Sequence, residues 1–208
     1  MISDLFSSKI WKSKLELDQK DRQDILYQIE KNFKKNKLNS NPEWSCKVHS
    51  TIYENNNIDY SKIISYFTKE YETFSRKSNL KIHSYYVSNI WYNYYLNGYN
   101  QEIHDHITED NIYSAVFFLK LDKEHPSIIF HNHTNCHLFY NSRNKIRNVY
   151  PINDINHSVV FNSFNLNVEE NDFIIFPSYL PHFVPIQKIN DPRITISMNF
   201  SVDNLDLV

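Results

Sequence analysis

The segment Arg193-Ile194-Thr195-Ile196-Ser197-Met198-Asn199-Phe200-Ser201-Val202 restricts the fold more than any other part of the chain. Polar and apolar residues alternate along it without a break. Successive side chains of a strand point to opposite faces. One face is therefore wholly apolar (Ile194, Ile196, Met198, Phe200, Val202), and the other is wholly polar, with Arg193 at its head. The apolar face needs a cover. The polar face has two readings: ordinary solvent exposure, the default for a half-buried antiparallel strand, or the wall of a pocket in a barrel.

Two segments can cover the apolar face. Ile25, Leu26, Ile29 and Phe33 recur at helical spacing behind a possible N-cap at Asp18 or Asp21, which predicts a helix over 20–35. Its basic end, 31–37, suits the negative end of the helix dipole and is better explained as a solvated helix end than as a nucleic-acid patch. Tyr60, Ile63, Ile64, Phe67, Tyr71 and Phe74 predict a second helix over 59–76, its stripe packed on a sheet.

The segment 40–57 reads as loop, and from Lys81 the texture becomes that of strands. Strands are expected over 9–17, 81–96, 101–107, 113–121, 126–132, 157–168, 172–176, 182–187 and 193–202, with a turn at Asn97-Gly98. Many short strands separated by turns indicate a sandwich or barrel. Gly98 is the single glycine, so asparagine is expected to fill other positive-φ positions. The Asn-rich stretch 133–156 reads as a binding loop or lid. The organisation is mainly β within an α+β class: one domain over 1–208, with a helical supporting layer over 1–80 and a β core over 81–208.

Bulk properties narrow the function classes. Formal charge is −2 with acids and bases mixed, so no basic stripe points to nucleic acid. Cys46 and Cys136 make neither a disulfide framework nor a CxxC zinc pattern and read as free buried thiols. No window approaches the ~20 apolar residues of a membrane span. These features predict a soluble cytoplasmic protein with no membrane partner.

The chemistry centres on histidine. His104 and His106 would share a face of a strand, with Asp105 turned away unless a bulge reverses it. Two adjacent imidazoles are half of a metal site, with Zn, Fe, Mn and Cu all open. His131 and His133, with His137 nearby, form a competing pair, and spacing does not choose between them. After the apolar strand ending at Pro177, a turn presents His182, and Arg193 follows eleven residues later with Thr195 on its face. A guanidinium holds a carboxylate bidentately. A metal plus a carboxylate clamp inside a β-barrel describes a site for 2-oxoglutarate.

At this point the chain resembles the 2-oxoglutarate- and Fe(II)-dependent oxygenases of bacteria and their phages. These carry Trp-x-Asn, His-x-His, a Ser-Gly-Val-aromatic strand, a Phe-Pro-Ser-x-Leu-x-His turn and a final Arg-Ile-Ser-Ile-Ser-x-Asn strand. Here the same order is Trp91-Tyr92-Asn93, His104-Asp105-His106, Ser114-Ala115-Val116-Phe117, 176–182 and 193–199, a match over 91–202. The resemblance implies a double-stranded β-helix, a cupin-like jelly roll with the N-terminal helices packed on one sheet. It implies Fe(II) on His104, His106 and His182, and it favours that pair over His131/His133. It implies that Arg193 and Thr195 hold the distal carboxylate of 2-oxoglutarate, and that Asn93 and Tyr95 contact the cosubstrate, as an Asn-x-Tyr does in related nucleic-acid demethylases. The implied reaction is hydroxylation by O2 of an unidentified substrate (protein, peptide or metabolite), with release of succinate and CO2. A phage-encoded copy would act in the host cytoplasm.

Two positions depart from the family pattern: Ala115 stands where glycine is usual, and Asn171 where a turn glycine is usual. His106 fits the family's His-x-His but stands where most of the wider superfamily has an aspartate. Ala115 is expected to narrow the pocket by one methyl. Two other readings compete: a three-histidine, cupin-like metalloenzyme that does not use 2-oxoglutarate, and a metal-free jelly-roll binding protein.

Overall fold

The computed structural model describes residues 8–36, 44–54, 56–78, 85–108, 110–131 and 163–201. The segment 133–156, the strand residues 157–162, and His133, Cys136, His137 and Val202 lie outside the described residues.

The described chain forms ten strands and two helices. In order they are β1 (Trp11–Lys14), α1 (Gln19–Lys35), β2 (His49–Ser50), α2 (Ser61–Lys77), β3 (Tyr86–Tyr95), β4 (Gln101–His104), β5 (Asn111–Lys120), β6 (Ile129–His131), β7 (Ser163–Asn165), β8 (Asp172–Pro177), β9 (His182–Val184) and β10 (Arg193–Ser201). They make two antiparallel sheets, a six-stranded one in the order β1-β8-β5-β10-β3-β2 and a four-stranded one in the order β4-β9-β6-β7. Both helices fall where the apolar spacing predicts. The strands β1, β4, β6 and β9 are shorter than expected, and β2 lies in the segment read as loop.

β10 sits in the middle of the large sheet, between β3 and β5. Its apolar face joins a core that includes Ile25, Ile29 and Phe33 of α1 and Ile63, Phe67, Tyr71 and Phe74 of α2. Phe67 lies over Phe173 and Phe117, with ring centroids 4.6 and 5.8 Å away. Tyr71 stacks on Phe200 at 4.2 Å, and Phe33 stacks on Tyr94 at 3.9 Å. Asp18 caps α1, its side chain accepting from the Lys20 amide at 2.9 Å.

The polar face of β10 is not solvent-exposed. Arg193, Thr195, Ser197, Asn199 and Ser201 are all buried, because the four-stranded sheet closes over them. Between the sheets, Val116, Phe118, Ile174 and Phe176 meet Ile128 and Phe130 in a second apolar cluster. The result is a two-layered jelly roll with a helical layer on the outside of the larger sheet. Among the described residues, no helix is long and apolar enough to cross a membrane.

Two backbone positions use the left-handed region. Gly98 has φ 80° in the turn that carries the chain from β3 in one sheet to β4 in the other. Asn171, with φ 68°, replaces the expected turn glycine. Its Oδ1 also accepts from Arg22 Nη1 at 2.7 Å, a bond that glycine could not make. Arg22 Nη2 donates to Glu170 Oε1 at 2.7 Å and to the Leu119 carbonyl at 2.6 Å, which ties α1 to the sheet. Ala115 belongs to the cluster under the helices, so its methyl packs there and does not narrow the pocket as expected. The reason is alternation: Val116 and Ser114, not Ala115, take the inner face.

Phe67 is fully buried between α2 and the sheet. Phe67→Ala is expected to destabilise the fold by about 3–5 kcal/mol, measured as a shift in the chemical-denaturation midpoint without a change in slope.

Candidate metal and cosubstrate site

The turn between β8 and β9 assembles the histidines. His104 ends β4, His182 begins β9, and the two are direct partners across the antiparallel ladder. His106 lies two residues beyond the end of β4, because the three-residue β9 has no backbone left to pair with a longer strand. Its amide instead donates to the carbonyl of Ser178 at 2.9 Å, in the turn that presents His182. One ring nitrogen from each of His104, His106 and His182 lies within 4.8 Å of the other two. Asp105 is not in this group. It is exposed, and its Oδ1 accepts from the Ile107 amide at 3.1 Å.

Hydrogen bonds prepare two of the rings for a cation. His104 Nδ1 lies 2.8 Å from the Glu102 carbonyl, and His182 Nδ1 lies 3.0 Å from the Leu180 carbonyl. A carbonyl only accepts, so each Nδ1 donates and each neutral ring keeps its lone pair at Nε2. Gln101 Nε2 lies 3.3 Å from His104 Nε2, as a donor to that lone pair would. Burial pushes His104 below its ordinary value. Burial and the neighbouring His104 push His106 down to about 3. His182 is held well below the ordinary range by burial, then by His104 and His106. All three are therefore neutral at neutral pH, the form that binds metals.

The opposite wall comes from the large sheet. Asn93 and Thr195 align across β3 and β10, and Arg193 pairs with Tyr95. Arg193 is 1% exposed. Its Nη1 donates to the Pro126 carbonyl at 2.7 Å, and its Nε is buried with no partner among the described residues. The guanidinium carbon lies 5.2 Å from the Tyr95 ring centre and 5.5 Å from that of Phe118. Burial lowers its pKa from the ordinary value, with Tyr95 acting the other way, but an arginine keeps its proton in a protein. Among the described residues, no carboxylate comes within ion-pair distance of it.

The remaining polar groups form a chain. Asn93 Nδ2 reaches Ser197 Oγ at 3.3 Å and Thr195 Oγ1 at 3.5 Å, while its Oδ1 is buried without a partner. The Tyr95 hydroxyl donates to Gln101 Oε1 at 2.6 Å, and burial raises its pKa. All seven residues expected from the sequence line one cleft, with Val116, Ile128 and Val184 as apolar wall. The donor set suits a divalent cation, and the orphaned guanidinium across the cleft suits a carboxylate.

A family model described as "Putative 2OG-Fe(II) oxygenase" matches residues 89–199, which include all seven of these positions. The chain belongs to this family. The oxygenase thus uses Fe(II), 2-oxoglutarate and O2. No curated protein matches its sequence. Solved structures with the same fold include a Pseudomonas putida prolyl-4-hydroxylase (TM-score 0.63, 9% identity, 95% of each chain covered). The carbocyclase SnoK from nogalamycin biosynthesis superposes with a TM-score of 0.65 at 10% identity, covering 94% of this chain and 80% of SnoK. HygX from Streptomyces hygroscopicus, solved with nickel, 2-oxoglutarate and hygromycin B, has a TM-score of 0.59 at 10% identity, with 94% and 84% covered. At such identities the likeness is one of fold, here the double-stranded β-helix.

Sequence reasoning missed two neighbours of the oxygenase's histidines. Gln101 links Tyr95 to His104, and the Trp91 ring lies 5.5 Å from that of His106. Trp91 stands in the Trp-x-Asn signature, whereas Gln101 carried no signal, because a single amide is recognisable only by its partners. Of the competing pair, His131 follows Phe130, the partner of His182 in the small sheet. Alternation turns His131 to the opposite face.

The buried neutral histidines make a test of the metal-free oxygenase. Their folded pKa values lie below that of an unfolded histidine, ~6.5. Between those values the unfolded chain binds more protons, so stability is fully present above pH ~6.5 and falls as the pH drops below it. The urea midpoint of metal-free protein is expected to decrease steadily from pH 7 to pH 5, and saturating divalent metal should oppose the loss.

Proposed function

We propose that His104, His106 and His182 hold the Fe(II), that Arg193 and Thr195 bind the distal carboxylate of 2-oxoglutarate, and that Asn93 and Tyr95 shape the cosubstrate site, for hydroxylation of a primary substrate. The observation that carries this reading is Arg193, a buried cation facing the three imidazoles with no anionic partner among the described residues. An uncompensated buried charge costs several kcal/mol. A carboxylate from a bound ligand offsets that cost. A three-histidine enzyme that does not use 2-oxoglutarate leaves Arg193 without a role.

When bound, Fe(II) supplies the oxidative decarboxylation of 2-oxoglutarate by O2, which yields succinate and CO2 and places one oxygen atom on the substrate. The chain's own groups orient and insulate. The Glu102 and Leu180 carbonyls set the tautomers of His104 and His182. The Thr195 hydroxyl stands beside the guanidinium to complete the carboxylate clamp. Val116, Ile128 and Val184 keep water from the cleft and strengthen its electrostatics. With His106 in place of an aspartate, the three side chains that would hold the metal contribute no negative charge, so the loaded centre would carry one more unit of positive charge than a site with two histidines and a carboxylate. Molecules bound in neighbouring structures range from the peptide fragment in complex with a Trichoplax adhaerens prolyl hydroxylase to the hygromycin B bound to HygX. A peptide and a small molecule are both compatible with this cleft.

Purified protein with Fe(II), ascorbate and O2 is expected to convert 2-oxoglutarate to succinate. In calorimetry, Arg193→Ala should weaken 2-oxoglutarate binding by about 100-fold, the scale for truncating one partner of a buried charge pair, and should leave metal binding intact. Simultaneous loss of metal binding would mean that the arginine is structural. His106→Ala should lower metal affinity by at least ~10-fold, whereas unchanged affinity would remove His106 from the ligand set.

A further inference from the structure

A second cleft adjoins the first and shares Trp91, Gln101, His104 and His106 with it. Its outer wall comes from the 44–54 segment, so it reaches from the histidines toward solvent. The cosubstrate assignment above uses none of that wall.

The lining has a definite chemistry. Three aromatic rings border it, Trp44, Tyr53 and Trp91, with Trp44 and Tyr53 6.1 Å apart and inclined at 59°. Two carboxylates join them, Glu102 and Asp105, one on each side of the paired histidine His104 and its neighbours. Among the described residues, no lysine or arginine lines the cleft. Lys47, which lies close in sequence, places its ammonium over the Tyr99 ring at 5.0 Å. Glu102 Oε2 accepts from the Ser45 amide at 3.1 Å and from the Ser45 hydroxyl, and Asp105 Oδ1 accepts from the Ile107 amide at 3.1 Å. Ser50 supplies an independent sign of a ligand. It lines the cleft at 8% exposure, and its hydroxyl is buried with no hydrogen-bond partner among the described residues. A buried hydroxyl without a partner is costly unless a ligand satisfies it.

We propose that this cleft takes the primary substrate, and that the substrate carries a protonated nitrogen, an ammonium or guanidinium, on an aliphatic chain. Aromatic faces attract cations, carboxylates pair with them, and Ser50 can accept from a substrate N–H or donate to a substrate carbonyl. The shared edge at His104 and His106 sets the reacting C–H beside the metal. This rests on the site assignment above, and the reaction balances: the substrate C–H becomes C–OH, 2-oxoglutarate becomes succinate and CO2, and each loses two electrons to O2. One oxygen atom enters the hydroxyl group and the other enters succinate.

The test uses protein loaded with Mn(II) and 2-oxoglutarate under anaerobic conditions. Calorimetry compares agmatine, cadaverine and the blocked peptide acetyl-Gly-Lys-Gly-amide with the neutral acetyl-Gly-norleucine-Gly-amide. At least one cationic probe should bind tenfold or more tightly than the neutral peptide, and the preference should shrink with added salt. Tight binding of the free amines alone would identify a small metabolite as the source, and tight binding of the peptide a protein side chain. Asp105→Asn, an exposed position that leaves the fold intact, should reduce the preference at least threefold without altering 2-oxoglutarate affinity. Equal binding of charged and neutral probes, or binding of none, in protein that still binds 2-oxoglutarate overturns this proposal alone. Protein that binds no 2-oxoglutarate overturns the cosubstrate assignment and this proposal with it.

Discussion

Burial of β10 on both faces is the constraint on which the rest of the molecule depends. A central strand with five alternating polar side chains cannot be sealed between layers unless those groups find partners. Most do so locally. Ser114 donates to Asn199, Ser201 to Asn111, and Asn93 to Ser197. The helices cover the opposite face with Phe67, Tyr71 and Phe74, and the small sheet covers the polar one. Among the described residues, the buried polar atoms left without a partner include Arg193 Nε, Asn93 Oδ1 and Ser50 Oγ. All three line the two clefts that meet at the histidines.

The use of imidazole at all three positions of the histidine cluster follows the same economy of charge. A buried carboxylate at position 106 would face a desolvation cost whenever the metal was absent. A neutral imidazole does not, and burial keeps His106 neutral far below physiological pH. The protein therefore carries one buried cation and three neutral donors, and negative charge enters with the cosubstrate. The acidic groups of this region, Glu102 and Asp105, sit instead on the outer cleft, where solvent supports them.

Much of the site was legible because its residues sit in local patterns. Trp91 to Tyr95, His104 to His106, the turn at 176–182 and the strand from Arg193 each carry their own signature. The positive φ of Asn171 follows from a chain with one glycine. Other features were not legible. The 101–107 strand stops at His104, because its length depends on how much of β9 remains to pair with it. The two-residue β2 is too short for any periodicity, and its place comes from pairing with Asn93 and Tyr94. Ala115 was assigned to the wrong face because a motif position carries no statement about which side of the sheet is the pocket.

The sequence by itself determined the periodicities: two amphipathic helices, a run of short strands, and a last strand with one apolar and one polar face. It also supplied the chemical types needed for a metal and a carboxylate. Only the tertiary structure decided that the polar face of β10 is interior, that His104 meets His182 across a ladder, and that Trp44, Ser50 and Tyr53 line a second cleft beside them. The physical reason is separation along the chain. Alternation and helical spacing are properties of a few consecutive residues, whereas closure of one sheet over another rests on pairings between residues far apart, whose register no local pattern specifies.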